Sequence, residues 1–176
     1  MEQRNILLVE DNLNDVELTL EAFSEYNLAE KAAVTRDGEE ALDFLLYRGK
    51  YKDRPKENPV VIILDLKMPK VDGLEVLKRI KSEESLKWIP VVVFSSSFEK
   101  RDLIECYHLG VNAYVVKPVD FHEYIKTARG LGFFWAVINE PPPPNKNGTN
   151  SHATPFGHDT TKHENRLRRL QSLFPD

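Results

Sequence analysis

The sequence predicts an open α/β sheet in which five parallel strands alternate with five helices, and three observations carry that expectation. Short apolar runs recur without polar alternation, the pattern of strands covered on both faces. Between the runs, apolar residues fall at helical spacing. Four of the five helical stretches open on Asp or Ser with Glu three residues later, an arrangement that satisfies orphan backbone donors at a helix start.

The first strand is Ile6-Leu7-Leu8-Val9, followed by a helix marked by Leu13, Val16, Leu20 and Phe23 and opened more loosely by Asn12 with Asp15. Ala32-Ala33-Val34 is the second strand, and Asp37 with Glu40 opens the helix of Ala41, Leu42, Leu45 and Leu46. Val60-Val61-Ile62-Ile63-Leu64 is the third, and Asp72 with Glu75 opens the helix of Leu74, Val76, Leu77 and Ile80. After Val91-Val92-Val93-Phe94, Ser96 with Glu99 opens a helix carrying Leu103, Ile104, Tyr107 and Val111. The last unit is Ala113-Tyr114-Val115-Val116, then Asp120 with Glu123 and the longest helix, with Phe121, Tyr124, Ile125, Ala128, Leu131 and Trp135. Parallel strands joined by right-handed helical crossovers place helices on both faces, and five such units favour the doubly wound, flavodoxin-like strand order 2-1-3-4-5. Residues 48–59 form a basic insert before the third strand, longer than a usual connection and read either as a partner contact or as a solvated loop.

The chain has 176 residues, eleven prolines, one cysteine and a formal net charge of −4. Four prolines at 141–144 divide it into a domain, residues 1–139, and a tail, residues 140–176. The first part suffices for one core; the second has too few apolar residues to build another. The Pro-rich tail is expected to be mostly disordered, with a short amphipathic helix over 162–174 that carries Leu167, Leu170, Leu173 and Phe174. Its His152, His158 and His163 read as solvated imidazoles, and Cys106 as a buried or half-buried thiol. The tail holds five Lys+Arg against four Asp+Glu, so the acidic excess belongs to the domain and argues against nucleic acid as its partner. A lone cysteine, no apolar stretch of membrane-spanning length and no secretion signal predict a cytoplasmic protein.

Ligands of an open α/β sheet bind beyond the carboxyl ends of its strands. The residues found there are Glu10-Asp11, Asp65, Ser95 and Lys117-Pro118. Each alone reads as a helix cap or a turn; together, at the ends of strands one, three, four and five, they form a constellation. Clustered carboxylates repel one another unless a cation sits among them, and hard oxygen ligands suit Mg²⁺. Asp65 can then act as a nucleophile toward phosphorus, with the Lys117 ammonium and the Ser95 hydroxyl binding phosphoryl oxygens.

Leu7-Leu8-Val9-Glu10-Asp11, Ile63-Leu64-Asp65-Leu66-Lys67-Met68-Pro69 with Asp72-Gly73, Phe94-Ser95-Ser96 and Tyr114-Val115-Val116-Lys117-Pro118 resemble the signature of two-component response-regulator receiver domains over roughly residues 4–138. The resemblance implies Asp65 as phosphoacceptor from a histidine kinase. It implies Asp11, Glu10, Asp65 and the Lys67 backbone carbonyl as Mg²⁺ ligands, and Lys117 as the phosphoryl partner. It further implies Ser95 and Tyr114 as the switch pair, and a cis peptide before Pro118. On this resemblance the protein is a signalling switch that catalyses only its own phosphotransfer and dephosphorylation.

Val34 to Leu46, the basic insert, Ser95-Ser96-Ser97 and Gly132-Phe133-Phe134-Trp135-Ala136-Val137-Ile138 are more narrowly similar to the stand-alone regulators paired with cyanobacterial and bacterial phytochromes. That likeness implies a phytochrome-type kinase and a homodimer through the face of the fourth helix, fifth strand and fifth helix. Independently, Phe133, Phe134 and Trp135 span too wide an arc of a helix to share one core, so at least one is expected to be exposed unless a partner or the tail covers it.

Other functions fit less well. A haloacid-dehalogenase-type phosphohydrolase needs a second Asp two residues after its nucleophile, where this chain has Lys67. A nucleotide or flavin binder needs Gly, Ser or Thr donors after the first strand, where Glu10-Asp11-Asn12-Leu13-Asn14-Asp15 repels phosphate. A phosphorylation-independent binding module is a further alternative. A 37-residue tail is too short for a winged helix on DNA. Output is therefore expected through a downstream protein or onward phosphotransfer.

Overall fold

The computed structural model describes residues 5–140. The expectations of disorder in the tail, of a helix over 162–174 and of solvated tail histidines fall on residues 141–176, outside that range.

Five parallel strands form one sheet: β1 (Ile6–Val9), β2 (Ala32–Thr35), β3 (Val61–Leu64), β4 (Val91–Ser95) and β5 (Ala113–Val116). Their order is β2-β1-β3-β4-β5, as the alternation of strands and helices predicts. Val9 pairs with both Thr35 and Leu64, so Glu10, Arg36 and Asp65 leave the sheet at one level. Ser95 pairs with Val116, which brings Lys117 to the same rim. Burial on both faces holds for β1, β3 and β4; the edge strands β2 and β5 are only partly covered, having a neighbour on one side alone.

The helices are α1 (Leu13–Ser24), α2 (Gly38–Leu45), α3 (Gly73–Ser82), α4 (Lys100–His108) and α5 (Phe121–Phe133), the last continuing as a π-helical turn, Phe134–Ile138. Alternate strand residues face opposite layers. Leu7, Val9, Ile62, Leu64, Val91 and Val93 share one core with Ala41, Leu45, Val76, Leu77 and Ile80 of α2 and α3, and with Cys106 of α4. Ile6, Leu8, Val61, Ile63, Val92 and Phe94 share the other with Val16, Phe23, Tyr124 and Ala128 of α1 and α5.

Three of the expected Asp caps form: Asp37, Asp72 and Asp120 accept from the backbone N–H groups of Glu40, Glu75 and Glu123 at 2.8, 2.9 and 2.9 Å. Asn12 caps α1 through the N–H groups of Asn14 and Asp15. The fourth expected pair, Ser96 with Glu99, is corrected: α4 starts only at Lys100, with Glu99 at its cap position and no side-chain cap bond. The preceding loop is committed elsewhere, because Ser97 bonds to Ser95 and to Asp102.

The helical spacing of Leu103, Ile104 and Tyr107 marks a real helix, but these residues face outward, and α4 buries Asp102 and Cys106 instead. Val111 is buried beyond the helix end. The insert is not simply solvated: Gly49–Tyr51 makes a 3₁₀ turn, the Arg54 guanidinium lies over the rings of Phe44 and Tyr47 at 4.0 and 4.1 Å, and the Tyr51 hydroxyl donates to Glu40 at 2.8 Å. It folds back on α2. At the aromatic end, Phe133 stacks on Tyr26 at 4.6 Å and Trp135 meets Phe134 edge-on at 5.2 Å, while Phe134 remains 47% exposed.

Candidate phosphorylation and metal site

Each site residue ends or follows a strand, where the chain leaves the sheet and its side chain reaches over the rim. Glu10 and Asp11 extend β1, Asp65 extends β3, Ser95 closes β4 and Lys117 follows β5. Asp65 is kept in register by its N–H bond to the Val9 carbonyl at 3.0 Å. Behind it, α3 begins so close that a Cβ on Gly73 would stand 2.3 Å from the Asp65 carbonyl oxygen, so only glycine fits there.

Lys117 joins the acids. Its Nζ lies 2.6 Å from Glu10 Oε2, 2.7 Å from Asp15 Oδ2 and 3.0 Å from Asp65 Oδ2. The other Asp65 oxygen, Oδ1, accepts from the Ser95 hydroxyl at 2.5 Å and from the Lys67 backbone N–H at 3.3 Å. Glu10, Asp65, Ser95 and Lys117 are all buried, and one ammonium does not balance three carboxylates in a poorly solvated setting. Burial pushes the Glu10 carboxyl up to about 7 against the pull of Lys117, with the Asp65 charge adding to the rise. Burial alone would lower the Lys117 ammonium, but the charges of Glu10 and Asp65 outweigh it and hold the group well above its ordinary value.

One carboxylate oxygen from each of Glu10, Asp11 and Asp65 lies within 4.8 Å of the others, a hard-oxygen donor set with surplus negative charge, which fits a divalent cation. The acidic loop is held from below: Arg36 donates through Nε to the Glu10 carbonyl at 3.0 Å and through a second nitrogen to the Asp11 carbonyl. Asn12 N–H returns to Glu10 Oε1 at 3.1 Å. Tyr114 does not touch Ser95 through its hydroxyl; it donates to the Ser97 carbonyl at 2.9 Å, two residues further along.

The structure thus gathers Glu10, Asp11, Asp65, Ser95 and Lys117 as expected. One expectation is corrected. All described peptide bonds are trans, including that before Pro118; trans is the intrinsically favoured form even at proline, and Lys117 reaches all three acids with it. Three residues at or beside the site escaped sequence reasoning. Asp15 sits in the first turn of α1, where an acid is ordinarily a helix-start residue. Arg36 follows the second strand, so the strand-end reading applied to all five strands finds it. Asp102 carries no sequence signal.

The response regulator receiver domain family matches residues 6–129. Response regulator Rcp1 of Synechocystis sp. is 40% identical over 130 residues, covering 74% of this chain and 87% of that protein. The crystal structure of the Mn²⁺-bound form of Rcp1 superposes with a TM-score of 0.74 at 38% identity, covering 79% of this chain and 99% of the other. The phosphorylated cyanobacterial phytochrome response regulator RcpA gives the same TM-score and identity, covering 79% and 98%. The bacteriophytochrome response regulator AtBRR is 54% identical with a TM-score of 0.63, covering 80% of this chain and all of that one. Acids, hydroxyl and lysine meet at the strand ends of a 2-1-3-4-5 sheet, and with this match over most of the described residues the chain belongs to the response regulator receiver domain family of two-component signalling proteins.

Proposed function

We propose that residues 1–139 form a phosphoacceptor switch in which Asp65 takes a phosphoryl group from a histidine kinase, residues 140–176 being a Pro-rich extension. The observation that carries this reading is the sharing of one buried ammonium, Lys117, by Glu10, Asp15 and Asp65, with Ser95 on the other Asp65 oxygen. An Asp65 carboxylate oxygen attacks phosphorus of a phosphohistidine protonated on its other ring nitrogen, the bond from phosphorus to the kinase imidazole breaks with its electron pair going to nitrogen, and the imidazole leaves neutral. The Lys117 ammonium and the Ser95 hydroxyl then bind oxygens of the transferred group, whose charge is close to −2. Glu10, Asp11 and Asp65, with the Lys67 carbonyl, would hold Mg²⁺, which when bound neutralises charge on the transferring phosphoryl oxygens.

Similarity to Rcp1, RcpA and AtBRR supports a phytochrome-type kinase as the donor. The apolar side chains of Leu103, Ile104, Tyr107, Val116 and Phe121 lie exposed on α4, β5 and α5 and support homodimerisation there, with Phe134 extending the surface. Among the described residues no helix is long and apolar enough to cross a membrane, in keeping with a cytoplasmic partner of a sensor kinase. Incubation with acetyl phosphate and Mg²⁺ tests the site: one acid-stable, base-labile phosphoryl group is expected by intact mass in the wild type and none in Asp65→Asn. Normal incorporation into Asp65→Asn would overturn the assignment.

A further inference from the structure

Asp102 is a buried acid that phosphotransfer itself does not use. Its Oδ2 accepts from the Ser97 hydroxyl at 2.6 Å and pairs with Lys67 Nζ at 3.1 Å. Those two partners are the residues two places after Asp65 and two places after Ser95. Each is also bonded through its backbone to the group it follows: Lys67 N–H to Asp65 Oδ1 at 3.3 Å, and Ser97 N–H to Ser95 Oγ at 3.4 Å. One carboxylate on α4 is therefore connected, through two short paths, to both groups that an incoming phosphoryl oxygen meets.

The helix depends on that carboxylate. Its other buried side chain is Cys106, and its larger apolar residues face solvent, so α4 has little apolar surface with which to hold its place. We propose that Asp102 is a positioning residue that latches α4 to the phosphorylation site through Lys67 and Ser97, and that phosphorylation loosens the latch. The inference rests on Asp65 being the phosphoacceptor. A phosphoryl group with a charge near −2 competes with a single carboxylate for the long, half-exposed Lys67 side chain. The Ser95 hydroxyl, already 2.5 Å from Asp65 Oδ1, shifts to make room for phosphoryl oxygens, and through its 3.4 Å bond to the Ser97 N–H that shift lengthens the bond from Ser97 to Asp102. The outward face of α4 then shifts relative to β5.

Hydrogen–deuterium exchange on the full chain, read over residues 98–110 before and after acetyl phosphate with Mg²⁺, tests this. Unphosphorylated Asp102→Asn should exchange about tenfold faster in α4 than wild type, because the ion pair to Lys67 is lost and the Ser97 hydroxyl keeps only a neutral acceptor, with β1 and β3 unchanged. Phosphorylation should accelerate α4 in the wild type and add little in Asp102→Asn. Lys67→Met, which removes the ion pair without touching α4, should move exchange in the same direction by less, and carries the comparison if Asp102→Asn does not fold. An equal acceleration on phosphorylation in wild type and variant overturns the latch, as does unchanged α4 exchange in the unphosphorylated variant. Intact mass separates the two ideas: no phosphoryl gain in the wild type removes the acceptor reading and the release with it, whereas a gain without the α4 pattern removes the latch alone.

Discussion

Helices α3 and α4 occupy adjacent positions on the same side of the sheet and are held there by opposite means. α3 buries Val76, Leu77 and Ile80 completely and turns Glu75, Lys78 and Arg79 to water, the usual amphipathic solution. α4 turns Ile104 and Tyr107 to water, each more than half exposed, and buries an acid and a thiol. A helix fixed by apolar burial is fixed in all phosphorylation states. On the proposed latch, one fixed by a carboxylate whose partners Lys67 and Ser97 lead back to Asp65 and Ser95 responds to the charge placed there.

Experiments that break this contrast should rank as follows. Truncating Leu77 to Ala removes a fully buried side chain and should cost about 3 kcal/mol in urea denaturation, with both helices unfolding in one transition. The second test sets two buried acids against each other. The Ser97 hydrogen bond and the Lys67 ammonium, outweighing burial, hold the Asp102 carboxyl below its ordinary value, so its contribution is present above that value and lost only as pH falls below it. Glu10 runs the other way. Its folded value of about 7 lies above the ordinary 4.5, so it favours the fold when protonated and that contribution is lost as pH rises from 4.5 through 7. In metal-free protein this amounts to on the order of 3 kcal/mol. Thermal melts of wild type in EDTA should therefore fall more steeply over that window than those of Glu10→Gln, and Mg²⁺, which needs the carboxylate, should flatten the wild-type profile at its upper end.

Smaller effects sharpen the comparison. Asp102→Asn should cost about 2 kcal/mol in the same denaturation assay, less than Leu77→Ala, because a neutral amide can still accept from Ser97. Ile104→Ser should lie within about 0.5 kcal/mol of wild type, since the side chain is already in water. Sedimentation of that variant should show weaker self-association, and an unchanged monomer–dimer profile would leave the exposed face of α4 without a role in pairing.

Much of the fold could be read from the sequence because its signals are local. Asp37, Asp72 and Asp120 announce their helices by a spacing that the backbone itself requires, and the inner strands by uninterrupted apolar runs. The site was legible for a topological reason: strand ends converge on one rim, so the order of Glu10, Asp65, Ser95 and Lys117 along the chain already brings them together. What escaped depends on contacts between distant segments. Helical spacing located α4 but gave the wrong face, because its buried position is filled by an acid whose partners, Lys67 and Ser97, are visible only once β3 and β4 lie side by side. Ser96 and Glu99 had the right spacing for a cap, yet Ser97 between them is bonded to Ser95 and Asp102 and α4 starts without a side-chain cap.

Cys106 stands on the buried face of α4 with no exposure and is the single cysteine of the chain. Burial, with Asp102 and Glu105 nearby, pushes its thiol up to about 11, so at neutral pH it is both shielded and protonated. A thiol reagent can reach it only when α4 lifts, and no other sulfhydryl competes for the label. The rate of colour development with an aromatic disulfide should consequently follow the opening of this helix, giving the proposed switch a native chemical stopwatch.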